Sequence, residues 1–383
     1  MRRFPIHASL WVLAFAVSLA APATADAPCQ APKPVCEAAT HVYAIASFDP
    51  LASAVLLRSG LLITNRHAIA DNARAEVFLP DGRKLVAAVV PTAYAGDLIL
   101  LQAPEIAADR PLITAVAGPD AVLYAIGVDV GRQAVRVYKP GRMLVRTAEG
   151  KPLARLHHDA QSQPGNSGGA LVDELGRLVG IITSGGAGRN EAIPAWAISD
   201  LQAQSGPEHL GRSREIGIAY RKCAEAIDSA QATRQRLEPK HVQFIEGQCG
   251  RANNRQLLDE AGKIFGRQGL IDESLAMFRR ALDQDPNAVN AMLSMAITLH
   301  LAGRYAEETT YLGRLVDILP ADAEVLRLGV QAGQWGDDNT LRDKSLELLA
   351  KHHPKVAPLA REFIEKNPTP PKRRLPGEGP PGR

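Results

Sequence analysis

The chain has 383 residues, enough for two ordinary domains with tails, and 46% of them are hydrophobic, which excludes wholesale disorder. Its formal net charge is only +3. With Arg2, Arg3 and the basic residues after Lys366 set aside, the middle of the chain is slightly acidic, so nothing electrostatic argues for nucleic acid or anionic membrane as a partner.

The N-terminus reads as a secretory signal over residues 1–25. Arg2 and Arg3 supply the positive start, an apolar run from Ala8 to Ala21 follows, and Ala23-Thr24-Ala25 gives the small-residue cleavage pattern. Pro22 ends the run, which is short for a membrane span. The expectation is export, to the periplasm, with no membrane attachment after cleavage. Cys29 is not expected to carry lipid, because Asp26-Ala27-Pro28 lacks the small aliphatic pattern of such a site. The four cysteines fall as two local pairs, Cys29 with Cys36 and Cys223 with Cys249. In an oxidising compartment an even count favours disulfides. There is no C-x-x-C and no histidine cluster beside either pair, so no metal site is expected.

From Ala39 to about Ser205 the sequence reads as short strands between turns. Apolar runs of strand length lie at 55–62, 76–79, 85–90, 98–101, 122–126 and 178–182. Asp81-Gly82 is a hairpin signal, and 138–142 and 173–177 are further turns. This spacing predicts an all-β sandwich or barrel. After Gly206-Pro207 the texture becomes helical. The stretch from Ser213 to Cys249 predicts a hairpin that a Cys223–Cys249 bridge would staple. Pro286, Pro320 and Pro354 then recur at equal intervals, with registers beginning near Arg255, Val289 and Ala323. Leu258, Ala261, Gly262, Phe265, Ser274, Phe278 and Ala281 take the packing positions of the first unit. Residues 251–366 resemble tetratricopeptide repeats, whose period of about 34 residues is the interval between these prolines. The second unit departs from that pattern at Glu308, Leu312 and Leu315. The resemblance implies a curved array with a groove built from residues such as Asp259, Lys263, Asn290, Leu293, Arg327 and Gln331, fit for an extended protein segment. Residues 367–383 hold six prolines and read as a disordered tail.

The chemistry concentrates in three segments. Gly165-Asn166-Ser167-Gly168-Gly169 surrounds a serine with residues that let a backbone turn tightly. The amides of Gly165 and Ser167 are candidates for holding a developing oxyanion. A serine hydroxyl needs a base. His67 follows the apolar strand ending near Ile63, so it sits at a strand end, alone in that context among ten histidines. Of His157 and His158, adjacent on a strand, at most one can face the site. Asp97 opens the apolar run Leu98–Leu101, an unfavourable place for a carboxylate unless it is paired. Holding an imidazole in one tautomer is such a pairing.

Thr64-Asn65-Arg66-His67-Ala68, Asp97-Leu98-Ile99-Leu100-Leu101 and Gly165-Asn166-Ser167-Gly168-Gly169 together resemble the three motifs of trypsin-fold serine proteases, nearest to the bacterial HtrA/Deg branch. Their order is His, Asp, Ser, and their spacing is compact, as that branch would have it. The resemblance implies a double six-stranded barrel over 29–205, a catalytic triad of His67, Asp97 and Ser167, and peptide hydrolysis through an acyl-enzyme. It also implies that Gln161, six positions before Ser167, lines the specificity pocket. No acid stands there, so cleavage after Lys or Arg is not expected. The branch usually carries PDZ domains after the protease; this chain carries a helical hairpin over 206–250 and the helical repeats instead. Nothing calls for a cofactor. The expectation is an exported serine endopeptidase whose repeats recruit a protein substrate or partner and take no part in the chemistry. The alternative is a non-catalytic binding scaffold with a protease-like fold.

Overall fold

The structure is a computed structural model that describes residues 29–233 and 236–371. The expected signal over 1–25, and the expected tail beyond residue 371, lie outside the described residues. After a short helix α1 (Lys33–Ala39), six antiparallel strands close a barrel in the order β1-β2-β3-β6-β5-β4. They are β1 (Val42–Ala46), β2 (Ala52–Arg58), β3 (Leu61–Thr64), β4 (Arg74–Phe78), β5 (Lys84–Val90) and β6 (Ile99–Gln102). The apolar run 55–62 is two strands rather than one. Ser59-Gly60 turns the chain, with Gly60 at φ +76°, and β2 and β3 pair so that Val55 faces Ile63. Asp81-Gly82 makes the expected turn between β4 and β5.

A second set follows: β7 (Val122–Asp129), β8 (Ala134–Val137), β9 (Gly141–Val145), β10 (Leu156–His158), β11 (Ala170–Asp173), β12 (Leu178–Ser184) and β13 (Asn190–Pro194). β7 pairs with both β9 and β11, which closes a ring of six, β7-β11-β12-β13-β10-β9. β8 is an added strand that shares one edge of β7 with β9. The architecture is therefore the expected pair of six-stranded barrels.

The strands near the seam are apolar on both faces because both faces are covered. In β3 and β6, Leu62, Ile99 and Leu101 point into the first barrel with Ile45, Leu56 and Val77. Ile63, Leu98 and Leu100 face the other way, into a core shared with Ile126, Val172 and Ile181 of the second barrel. That is why 61–63 and 98–101 read as continuous apolar runs instead of alternating ones. The two barrels cannot separate without exposing this core.

After α2 (Ala197–Ala203) the chain is helical. α3 (Leu210–Thr233) and α4 (Pro239–Ala252) form a hairpin joined by Cys223–Cys249, and Cys29–Cys36 is bridged as well. Then come α5 (Arg255–Arg267), α6 (Ile271–Gln284), α7 (Val289–Leu301), α8 (Tyr305–Ile318), α9 (Ala323–Trp335), α10 (Asn339–His352) and α11 (Ala357–Lys366). The first helices of the three hairpins start at Arg255, Val289 and Ala323, and the second helices at Ile271, Tyr305 and Asn339, so both series advance by the same constant step as the prolines. In the first hairpin Phe265 and Phe278 are wholly buried. A Cβ at position 262 would lie 2.5 Å from the Phe278 ring, so the glycine permits the close helix approach. In the second hairpin, Glu308 stands where the repeat pattern has a small residue. It is buried and accepts a hydrogen bond from His300 Nδ1 at 3.0 Å, which is how the carboxylate is tolerated there. Among the described residues no helix is long and apolar enough to cross a membrane.

Cys223 and Cys249, 26 positions apart, close a loop across the α3–α4 hairpin. Replacing both by serine is expected to destabilise the helical region by about 3 kcal/mol, through the added freedom of the unfolded chain. Urea unfolding followed by far-ultraviolet circular dichroism should show a lower midpoint for the helical signal, and an unchanged midpoint would contradict this.

Candidate active site

β3 ends at Thr64, and the chain then folds into a helical turn in which the amides of Ile69 and Ala70 donate to Arg66 O. This turn lifts His67 off the end of the strand and aims its backbone and ring at Asp97. The His67 amide donates to Asp97 Oδ1 at 3.0 Å, and Nδ1 lies 2.7 Å from Oδ2. Thr183, on β12 of the second barrel, donates its hydroxyl to the same Oδ2 at 3.0 Å. Asn65 Nδ2 and the Arg66 amide fix the Asp97 carbonyl at 3.0 and 3.3 Å. Asp97 is buried, which alone would push its carboxyl up; the His67 ring and the Arg155 guanidinium outweigh this and hold it at about 2. Burial pulls the His67 imidazole down, and the charge and hydrogen bond of Asp97, with a further push from Asp49, leave it above its ordinary value.

Ser167 lies between Asn166 and two glycines in a loop tied from both sides. Asn166 is buried: its amide donates to Gln163 O, its Nδ2 to Val128 O, and its Oδ1 accepts from the Gln163 amide. From the first barrel, Ser53 donates its hydroxyl to Gly165 O at 2.7 Å and its amide to Ser167 O at 2.8 Å. Ser53 Oγ also accepts from the Val128 amide. Gly168 is at φ +82°, and a Cβ there would fall 2.0 Å from Ser53 O, so only glycine lets the loop meet the first barrel this closely. Among the described residues the amides of Gly165 and Ser167 have no hydrogen-bond acceptor. These are the two groups that the sequence singles out for an oxyanion. The Ser167 hydroxyl donates to Thr183 O at 3.2 Å and not to His67. His67, Asp97 and the Ser167 loop are thus gathered at the barrel seam, with the serine hydroxyl turned to a carbonyl.

Neither His157 nor His158 reaches the site. His157 Nε2 is 2.9 Å from Asp285 Oδ2, and His158 is wholly buried, pushed down to about 3 by burial first and by His157 second. Gln161 is exposed, with its amide on Lys139 O. Asn290, expected to line a groove of the helical array, instead donates to Arg189 O and Glu191 Oε1 on the second barrel.

The helical region also reaches the site. α3 crosses the turn that carries His67: Arg221 Nε bonds Asp71 Oδ1 at 2.6 Å and Arg66 Nη1 donates to Ser213 O. A Cβ at Gly217 would come within 2.4 Å of Ala70 O. Tyr220 of α3 packs against the His67 ring, centroids 6.4 Å apart, and edge-on against Phe48. His67 is left only 4% exposed. Further along, a buried charge network joins α5 and the α6–α7 turn to the second barrel. Arg255 reaches Glu191 at 2.5 Å and Asp285 at 2.6 Å. Glu191 also takes Arg155 at 2.9 Å, and Asp285 takes the Arg155 amide and His157. Arg155 Nη2 stands 4.0 Å from Asp97 Oδ2. Sequence reasoning missed Ser53, Tyr220 and this network. The one signal available was Arg155-Leu156-His157-His158, a run of basic side chains on an inner strand that calls for buried partners.

Residues 52–181 match the family model of the trypsin-like peptidase domain. A probable serine protease do-like of Buchnera aphidicola is 29% identical over 45% of this chain and 38% of its own length. A probable periplasmic serine endoprotease DegP-like of Chlamydia pneumoniae is 26% identical over 58% of this chain and 47% of its own. The serine protease Do-like HtrA of Lactobacillus helveticus is 30% identical over 32% of each chain. The match spans less than half the length of each of these relatives. The solved HtrA-type protease AlgW with tripeptide is 30% identical over 44% of this chain and 62% of that one, with a TM-score of 0.39.

Arg255→Met removes one cation from two buried carboxylates and is expected to cost about 3–5 kcal/mol in denaturant unfolding. For Glu191 and Asp285, burial raises the carboxyl, and Arg255, Arg155 and His157 more than reverse this, holding both below the ordinary range. A depressed carboxylate contributes stability above its unfolded pKa and loses it as pH falls. The contact between barrels and helices should therefore hold above about pH 5 and weaken progressively below about pH 4. Hydrogen exchange of β13 and α5 as a function of pH reads this directly; acid-independent protection would contradict it.

Proposed function

We propose that this chain is an exported, periplasmic serine endopeptidase that hydrolyses peptide bonds through an acyl-enzyme. The observation that carries this reading is the buried His67–Asp97 pair, 2.7 Å apart, facing a serine loop that the first barrel clamps through Ser53. In this reading Ser167 is the nucleophile, His67 the base and Asp97 the group that fixes the imidazole tautomer. The Ser167 hydroxyl leaves Thr183 O, passes its proton to His67 Nε2 and adds to the substrate carbonyl. The amides of Gly165 and Ser167 receive the oxyanion, and because they hold no other acceptor they need not be freed first. Collapse breaks the C–N bond, Nε2 gives its proton to the leaving amine, and the acyl group stays on Ser167. Water then repeats the sequence, with His67 taking its proton, and the acid is released.

The division of the chain follows the sequence: a protease unit over 29–205, a hairpin over 206–250 and tetratricopeptide-like repeats over 251–366. The repeats engage a protein substrate or partner. Because Gln161 offers no negative charge to a basic side chain, cleavage after Lys or Arg is not part of the reading.

A fluorophosphonate probe is expected to label the wild-type protein, and Ser167→Ala to abolish labelling. Casein hydrolysis by Ser167→Ala or His67→Ala should fall by about 10⁴-fold or more, because the triad acts as a unit. Normal casein turnover by Ser167→Ala would overturn the assignment. A folded wild-type protein that never labels would instead support the non-catalytic scaffold.

A further inference from the structure

His67 has two ring nitrogens, and the structure gives each a carboxylate. Nδ1 is held by Asp97, while Nε2 faces Asp49 Oδ2 at 3.9 Å. Asp49 lies on the turn between β1 and β2. The amides of Phe48 and Asp49 both donate to Ala68 O, at 3.0 and 3.1 Å, so this turn is pinned to the turn that carries His67. The Asp49 side chain is one-third exposed, and among the described residues no hydrogen-bond donor reaches its carboxylate. The Ser167 hydroxyl, which must reach Nε2 to lose its proton, is occupied by Thr183 O. The carboxylate beside Nε2 in this state is thus Asp49.

Resting on the reading of His67 as the base, we propose that Asp49 is a positioning residue: it holds the Nε2 edge of His67 in the resting enzyme and yields that edge to Ser167 when substrate enters. An imidazole between two carboxylates keeps its second proton more readily, and only the neutral ring can accept a proton from serine. The other groups facing His67 are accounted for. Asp97 acts from the head of β6 in the same direction as Asp49. Arg155, before β10, acts against both. α3 presents the phenol of Tyr220, while its Arg221 is engaged by Asp71 and Asn72. Asp97 and Arg155 are buried, whereas the Asp49 side chain is one-third exposed, so its charge can be removed without leaving a buried partner uncompensated.

The test is the pH dependence of the rate at which a fluorophosphonate labels Ser167, in wild type, Asp49→Asn and Asp49→Glu. Loss of the charge should move the acid limb of Asp49→Asn down by about one pH unit, which is about a tenfold gain in labelling rate below the limb. Asp49→Glu should return the limb towards wild type, a rescue that a purely structural role would not produce. An acid limb unmoved in Asp49→Asn overturns the proposal. In parallel, isotope-labelled histidine in Ser167→Ala and in Asp49→Asn/Ser167→Ala lets the His67 ring be titrated by NMR with no activity involved. The midpoint should be lower in the double variant, and equal midpoints overturn the proposal. Should Asp49→Asn not fold, Asp49→Ser carries the same comparisons. Absence of labelling in every variant, wild type included, counts against Ser167 as nucleophile, and the NMR titration then decides Asp49 by itself.

Discussion

The carboxylate of Asp97 is where the three parts of the molecule meet. It is buried, and a buried carboxylate is stable only if its charge is answered. The answers come from different places: the amide and ring of His67 on the first barrel, the hydroxyl of Thr183 on the second, and the guanidinium of Arg155 at 4.0 Å. Arg155 is itself buried and depends on Glu191, which depends in turn on Arg255 of α5. The charge at the centre of the site is therefore held by a chain of partners ending in the helical region. Removing any middle member would strand the next one in a medium where an unpaired charge costs several kcal/mol.

This connectivity changes how the helical region is understood. On sequence grounds the chemistry is complete within the barrels and the helices are an appended module. In the structure the α3–α4 hairpin seals one face of His67 through Tyr220, and α5 and the α6–α7 turn supply Arg255 and Asp285 to the charge network. The N-terminal ends of α5, α7 and α9 all contribute side chains to the contact, with Arg189 meeting Asp322 and Glu324 beside α9. These three helices start at a constant interval along the chain, so a regular array presents equivalent ends along one edge, and the second barrel lies on that edge. Repeat spacing is what makes so many contacts available to one partner surface.

Much of this was legible because it is local. The glycines around Ser167, the strand end before His67, the carboxylate opening an apolar run and the regular step of the prolines are all short-range patterns. The missed features are long-range and carry no local pattern. Ser53 is an ordinary strand residue until its hydroxyl meets Gly165, 112 positions away. Asp49 sits in a turn where an aspartate is unremarked on turn chemistry alone. Tyr220 reads as one more apolar position on α3. Two readings failed for a common reason. The run 55–62 looked like one strand because burial on both faces hides the turn at Ser59-Gly60. Asn290 looked like a groove residue because a repeat pattern fixes which helix face is presented but not what is docked against it.

The sealing of His67 has a chemical consequence that follows from burial alone. With water excluded from the ring, each nearby charge acts through a low dielectric and acts strongly, so a few residues set the state of the base. Two are anionic, Asp97 and Asp49, and one is cationic, Arg155, and they enter from three different segments of the fold. In a solvated site the same three charges would be screened to a minor correction. The helical region thus acts on the histidine twice, by excluding water through α3 and by anchoring Arg155 through α5. Both effects work against a protonated ring. Burial disfavours the charged ring and Arg155 repels it, while the carboxylates of Asp97 and Asp49, whose pull the same burial strengthens, outweigh both. The balance between them is set by how closely α3 and α5 lie on the barrels, so packing at that contact and proton affinity at His67 are one physical variable.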